Sequence, residues 1–227
     1  MIDNLLASLI DVLTRLVIAA VPVVLAITMP EATRGYVASR HGDSIARAYR
    51  RLTFNPLPHI DPIGTLAVPF GFFVFATITG SPLMLLGWPK VLPLSDSRLR
   101  RPRIAIRWVA GSAIAANAVM MLAWGAVWGL TAGFSDGVVL RVLHQMAMFG
   151  MQVNAVFTAF QMLPVPPLPG GKIALTLLDY RQGEALQRLE PYAFVIVIVL
   201  ALSGVLSLLI SPLMWLATLV GSLASLL

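Results

Sequence analysis

The sequence predicts an all-α protein, a polytopic membrane bundle of four to six helices, one of which either crosses or re-enters. Of its 227 residues 58% are hydrophobic and 11% charged, against roughly 45–50% and about 25% in soluble domains. Apolar stretches long enough to enter or cross a hydrocarbon core about 30 Å thick recur five times. The basic residues fall in short runs between them, and Lys and Arg exceed Asp and Glu by sixteen to ten, a formal charge of +6. The absence of cysteine excludes a disulfide framework, a thiolate metal site and a cysteine nucleophile.

The first apolar stretch, residues 12–29, has eighteen residues, with Asp11 and Arg15 four apart at its start. That spacing puts the two on one helix face, where they are expected to pair as an interfacial anchor. No basic leader and cleavage site precedes it, so the first span is expected to be retained. Residues 62–89 form the second stretch, interrupted by Thr77, Thr79, Gly80, Ser81 and Pro82 and weakened early by Pro69 and Gly71. Either a span or a re-entrant hairpin fits this pattern.

Charge favours re-entry. Residues 30–61 hold five Arg, residues 90–107 six basic side chains and residues 165–192 three. With a re-entrant second stretch all fourteen face one side, whereas a crossing would split them five against nine, a poorer fit to the positive-inside rule. The expected topology puts the N-terminus outside and the basic segments in the cytoplasm.

Residues 108–135 and 146–171 give two further membrane helices. Gly125 and Gly129 on the first stand in GxxxG spacing, which lets another helix approach closely, and packing within the monomer is favoured over dimerisation. Residues 193–227 are long enough to double back near Ser211 and Pro212. No repeat or linker divides the chain, so residues 1–227 are read as one integral membrane domain. The Arg98, Arg100, Arg101 and Arg103 cluster precedes a span and lacks interleaved aromatic side chains, which favours lipid contact and excludes nucleic acid as a partner.

Three ordered stretches carry a family likeness. The first contains Pro30, Glu31, Arg34, Gly35, Tyr36, Val37 and Ala38, then Gly42 and Asp43. It continues through Arg51, Leu52, Thr53, Phe54, Asn55 and Pro56 to His59, Ile60, Asp61, Pro62, Ile63, Gly64 and Thr65. The second runs Gly87, Trp88, Pro89, Lys90, Val91, Leu92, Pro93, and the third joins Asn154 and Gln161 to Pro166, Pro167, Leu168, Pro169, Gly170 and Gly171. Together they resemble the site-2 protease family of intramembrane zinc metalloproteases, in particular its short prokaryotic members. The resemblance covers about residues 12–175, including Ala116 and Asn117 where the family has Ala-Gly-Pro-x-Ala-Asn.

The resemblance implies zinc ligands at two histidines of a His-Glu-x-x-His helix end and at an aspartate of a Pro-Pro-Leu-Asp-Gly-Gly turn. In this sequence those positions are Pro30, Arg34 and Pro169. A catalytic zinc needs about three donors from His, Cys, Asp or Glu plus an open position for water. Proline offers no side-chain lone pair and arginine stays protonated. Glu31 keeps the general-base position as a vestige, and pairing with Arg34, three residues on, is its expected structural use. Metal coordination lowers the pKa of water from about 15.7 to about 7, worth about 12 kcal/mol, which a lone carboxylate does not supply.

A replacement metal site would have to draw on His41, His59 and His144 with Asp43, Asp61 and Glu31, and His144 is expected far from the other two. No G-x-S-x-G elbow is present, and Gly170, Gly171 and Lys172 only faintly imitate a phosphate loop. Asn117, Asn154 and Gln161 are polar side chains in apolar stretches. They serve either interhelical hydrogen bonds or, by the resemblance, a groove for a transmembrane segment. The expected function is therefore that of a proteolytically inactive site-2 protease-like pseudoenzyme in a prokaryotic cell membrane, with no cofactor. Its expected partners are the bilayer and single-span membrane proteins or an active protease homologue. The alternative is an active intramembrane zinc metalloprotease with a relocated or substituted metal site.

Overall fold

The computed structural model describes residues 2–79, 87–133 and 137–226. Every regular element among them is helical. Four long helices make the bundle: α1 (Ile2–Arg40), α4 (Pro102–Thr131), α5 (Val138–Met162) and α9 (Val205–Ala224). Shorter ones lie between them: α2 (Ile45–Ala48), α3 (Val68–Thr79), α6 (Pro169–Leu177), α7 (Tyr180–Gln187) and α8 (Ala193–Leu202). Residues Leu13–Arg40, Pro102–Thr131 and Val205–Ala224 are long and apolar enough to cross a membrane. The fold is that of a helical membrane protein.

The side chains fix the helix directions. Val23, Ala26 and Ile27 of α1 pack with Val153 and Phe157 of α5, and the earlier Thr14 and Arg15 share a cleft with the earlier Gln145, Met148 and Gln152, so these two run parallel. Thr131 at the end of α4 lies 2.9 Å from His144 near the start of α5, so α4 and α5 are antiparallel. Leu206 of α9 joins Leu163 and Val165 at one end, while Ala217 joins Met121, Met151 and Ala155 farther along. α9 therefore runs with α4. α5 packs against α1, α4 and α9 at once, so Asn154 and Thr158 sit inside protein, whereas Gln145 and Gln152 are exposed. Asn154 Nδ2 donates to Gly150 O (2.8 Å) and Thr158 Oγ1 to Asn154 O (2.7 Å), turning polar groups back onto their own helix.

The GxxxG pair packs within the chain. A Cβ on Gly125 would stand 2.5 Å from Ala217 O, and one on Gly129 only 1.8 Å from Gly221 O. Only glycine allows the α4 and α9 backbones to meet this closely.

Residues 62–79 leave and 87–90 return to the same place. Trp88 N donates to Gly64 O (3.0 Å) and Lys90 N to His59 O (2.8 Å), while Thr65 Oγ1 donates to Trp88 O (2.9 Å). A crossing would separate these ends by about 30 Å, so the geometry is that of a re-entrant hairpin. α3, at twelve residues, rises about 18 Å, short of the hydrocarbon thickness. Gly80, Ser81 and Pro82 lie outside the described residues, as does the side chain of Asp11 and hence its expected pairing with Arg15.

The three basic segments meet at one end of the bundle. Arg100 N donates to His41 O (2.7 Å) and Ser95 N to Asp43 Oδ2 (2.7 Å). The third segment joins through Lys172 and Asp96 (3.5 Å) and through Arg107 Nε to Thr176 Oγ1 (2.8 Å).

Two boundaries differ from the sequence reading. Pro30, just past the first apolar stretch, lies inside α1, which continues to Arg40. Contacts with distant segments hold that extension: Thr33 Oγ1 reaches Ser112 O (3.4 Å), and Glu31 Oε2 accepts from Leu92 N. The final turn is at Gly204, whose φ of +79° suits glycine, and not at Ser211 and Pro212, which lie within α9. Pro212 leaves the carbonyl of Leu208 without its helical donor, and beside it Ser211 Oγ donates to Ser207 O (2.7 Å).

Candidate functional site

Glu31 stands on α1, 7% exposed, and both of its oxygens are engaged. Oε1 accepts a hydrogen bond from Arg34 Nη1, one helical turn on. Oε2 accepts from Leu92 N at 3.2 Å. A buried carboxylate is tolerated only when paired and hydrogen-bonded, and this one is both.

Leu92 belongs to an extended segment, 88–95, whose backbone is gripped at nearly every step. Arg51, 9% exposed, donates from Nη1 to Val91 O (2.6 Å) and from Nη2 to Lys90 O (2.7 Å). Asp43, fully buried, accepts from Ser95 N through Oδ2 and from Ile45 N through Oδ1 (2.9 Å). Gly64 leaves room for Trp88, since a Cβ there would lie 2.2 Å from the indole nitrogen. Burial lowers the pKa of Arg51, and the negative charge of Glu31 raises it in opposition.

On the other side of Glu31, Arg34 and Pro169 line one small cleft with Asp96, Val109, Pro167 and Lys172. Its volume of about 30 Å³ is that of one water molecule. Pro169 opens α6, a position where proline's missing N–H and fixed φ cost nothing. The residues do not fit a zinc ion. Pro30, Arg34 and Pro169 supply no lone pair, and the guanidinium of Arg34 brings a fixed positive charge to the carboxylate of Glu31.

The chain is similar to a Bacillus subtilis (strain 168) protein named "Putative zinc metalloprotease YwhC". The two are 28% identical over 204 residues, which is 86% of this chain and 84% of that protein. No protein-family profile matches the chain, and no solved structure matches it.

The other donors singled out in the sequence are occupied or dispersed. Among the described residues no group of three or more His, Asp or Glu side chains is placed to hold a metal ion. His59 Nε2 binds Thr53 O (3.0 Å), and Asp61 Oδ1 accepts from Ile63 N (3.0 Å) and Gly64 N (2.7 Å), capping the wide π-type turn Pro62–Ala67. His144 pairs with Thr131 and lies 5.7 Å from the Trp128 ring, at the end of the bundle opposite His41 and His59.

Asn117 and Asn154 are fully buried in the bundle. Both polar atoms of Asn117, Oδ1 of Asn154 and Oε1 of Gln161 have no hydrogen-bond partner among the described residues. Gln161, half-buried near the end of α5, is the most accessible of the three.

The clamp of Arg51 and Asp43 on the backbone of 88–95 was not read from the sequence, although these residues lie in the stretches that carry the family likeness. The signal lay in the Arg-Leu-Thr-Phe-Asn-Pro and Gly-Trp-Pro-Lys stretches, but nothing in a linear pattern says that one clamps the other.

His59, fully buried, holds its neutral form. Desolvation lowers its pKa below 6.5, the bond to Thr53 O raises it, the nearby charge of Arg51 lowers it and that of Glu31 raises it. A histidine with a lowered folded-state pKa binds fewer protons folded than unfolded, so its contribution is intact above about pH 6.5 and is lost as pH falls towards the folded value. Thermal unfolding in detergent is expected to shift to lower temperature between about pH 7.5 and about pH 5.5, and His59→Gln to flatten that profile. An undiminished slope in the variant would remove His59 as the cause.

Proposed function

We propose that this chain is a proteolytically inactive member of the site-2 protease-like membrane proteins, retaining the fold and serving as a binding partner for a transmembrane segment or an active protease. The observation that carries this reading is the Glu31–Arg34 pair beside Pro169. In the alignment that the motifs define, two ligand positions from distant parts of the chain adjoin one cleft, and both hold residues that cannot bind metal. The likeness to a protein named as a zinc metalloprotease supports the ancestry of the site. A relocated zinc centre would require donors that capping and backbone contacts already occupy, as at His59 and Asp61.

Zinc stoichiometry tests the reading. The purified protein in detergent, stripped, reloaded and desalted, is expected to keep well under one equivalent, and Pro30→His, Arg34→His and Pro169→Asp together to raise retention towards one. Stoichiometric zinc in the unaltered chain, with chelator-sensitive peptide cleavage, would overturn it. The binding role is tested by a photo-crosslinker at position 161, which is expected to capture a defined membrane-spanning segment.

A further inference from the structure

A second site lies at the basic end of the bundle, on a face of α4 other than the one that lines the cleft at Arg34. A groove of about 630 Å³ between α1 and α4 runs from Arg107 and Trp108 past Gly111 to Ala115, with Val37 forming its α1 wall. The eight steps from Arg107 to Ala115 rise about 12 Å along the helix, so the groove passes from a charged mouth into the depth of one leaflet. Trp108 is 63% exposed, and an exposed Trp beside an exposed Arg marks the headgroup level of a membrane protein. Below them the wall is open, because a Cβ on Gly111 would meet no atom within 4 Å.

The mouth is held in place. Arg107 Nε and Nη2 donate to the hydroxyl (2.8 Å) and carbonyl (2.9 Å) of Thr176, fixing an exposed guanidinium at the rim. Arg103, also exposed, stands four residues earlier on the same helix face. Fourteen of the sixteen Lys and Arg residues belong to the three segments that meet at this end. A cationic rim over an apolar slot calls for an occupant with an anionic head and a hydrocarbon tail, and anionic lipid is concentrated in the leaflet that basic segments face. A transmembrane helix would fill the slot but leave the rim without its counter-charge.

We propose that this groove binds one anionic phospholipid, its phosphate on Arg107 and Arg103 and an acyl chain laid over Gly111 and Ala115 against Trp108. The full-length protein, delipidated in detergent, would be titrated with phosphatidylglycerol or with phosphatidylcholine of the same acyl chains and read by native mass spectrometry. One phosphatidylglycerol is expected to be retained, at about tenfold higher affinity than phosphatidylcholine. Gly111→Leu, which fills the slot, is expected to abolish that retention, and Arg103→Gln to weaken it several-fold while leaving the unfolding temperature unchanged. Trp108→Ala gives an independent reading of the slot should the leucine variant misfold. Equal retention of the two lipids, or unchanged retention in both slot variants, would overturn the proposal by reducing the effect to general attraction at a basic surface. A protein dimer that Gly111→Leu dissociates would overturn it too, by giving the groove to a second copy.

Discussion

Gly129→Ala is expected to lower the unfolding temperature by roughly 10 °C in detergent, a loss of about 3 kcal/mol for a chain of this size. The added methyl carbon would begin 1.8 Å from Gly221 O, 2.5 Å from its carbonyl carbon and 2.8 Å from its Cα. These are backbone atoms of a facing helix, so no rotamer change relieves the clash and α4 and α9 must move apart. Moving them apart also loosens Gly125 against Ala217 and the cluster of Met121, Met151 and Ala217. In a membrane bundle, where lipid is as apolar as a leucine side chain, close van der Waals packing is a main source of helix association. Gly71→Ala is the control. Nothing lies within 4 Å of the carbon it adds, and alanine in a helix is up to about 1 kcal/mol better than glycine. If both variants unfold at the temperature of the unaltered protein, the α4–α9 contact contributes little.

Breaking the buried ion pair is expected to cost about as much. Arg34→Met removes the cation and leaves the Glu31 carboxylate, 7% exposed, with Leu92 N as its remaining hydrogen-bond donor. Stranding one partner of a fully buried pair costs about 3–5 kcal/mol, and with the Arg34 side chain 22% exposed the lower end of that range is expected here. Glu31→Gln combined with Arg34→Met removes both charges while the amide oxygen still accepts from Leu92 N, so most of that loss is expected to be recovered. A double-mutant cycle on unfolding free energies measures this directly, with an expected coupling of about 2 kcal/mol or more. Coupling below about 0.5 kcal/mol would mean that the pair is incidental and would weaken the reading of Arg34 as the charge that stands at the site.

The two results bear on separate parts of the molecule. The glycine contact sits at the end of the bundle opposite the basic segments and tests how the helices are assembled. The ion pair sits where the extended segment 88–95 crosses α1 and tests what holds the candidate site closed. Arg51 and Asp43 grip the same segment, so Arg34→Met is not expected to release it by itself.

Much of the fold was legible because membrane segments announce themselves by hydropathy and length, and because charge asymmetry favours re-entry for residues 62–89. The Glu31–Arg34 pair was legible for a similar reason, since residues three apart on a helix are neighbours whatever surrounds them. Pro30 and Pro212 misled in the same way. Each reads as a break, yet each lies inside a helix, since the cost of a lost backbone bond can be offset by neighbouring side chains and packing. Asn117 and Asn154 stood out correctly as polar groups in apolar stretches, but periodicity does not say whether such a face meets a groove or the inside of the bundle.

The sequence by itself determined the helical membrane class, the gathering of positive charge on three segments and the donor chemistry at positions 30, 34 and 169, because composition and side-chain type belong to each residue alone. Tertiary structure alone decided that Arg34 and Pro169 adjoin one cleft, that Arg51, Asp43 and Glu31 fasten one extended segment, and that Gly129 faces Gly221. Those residues lie tens of positions apart, and only the packing of helices against one another brings them within reach.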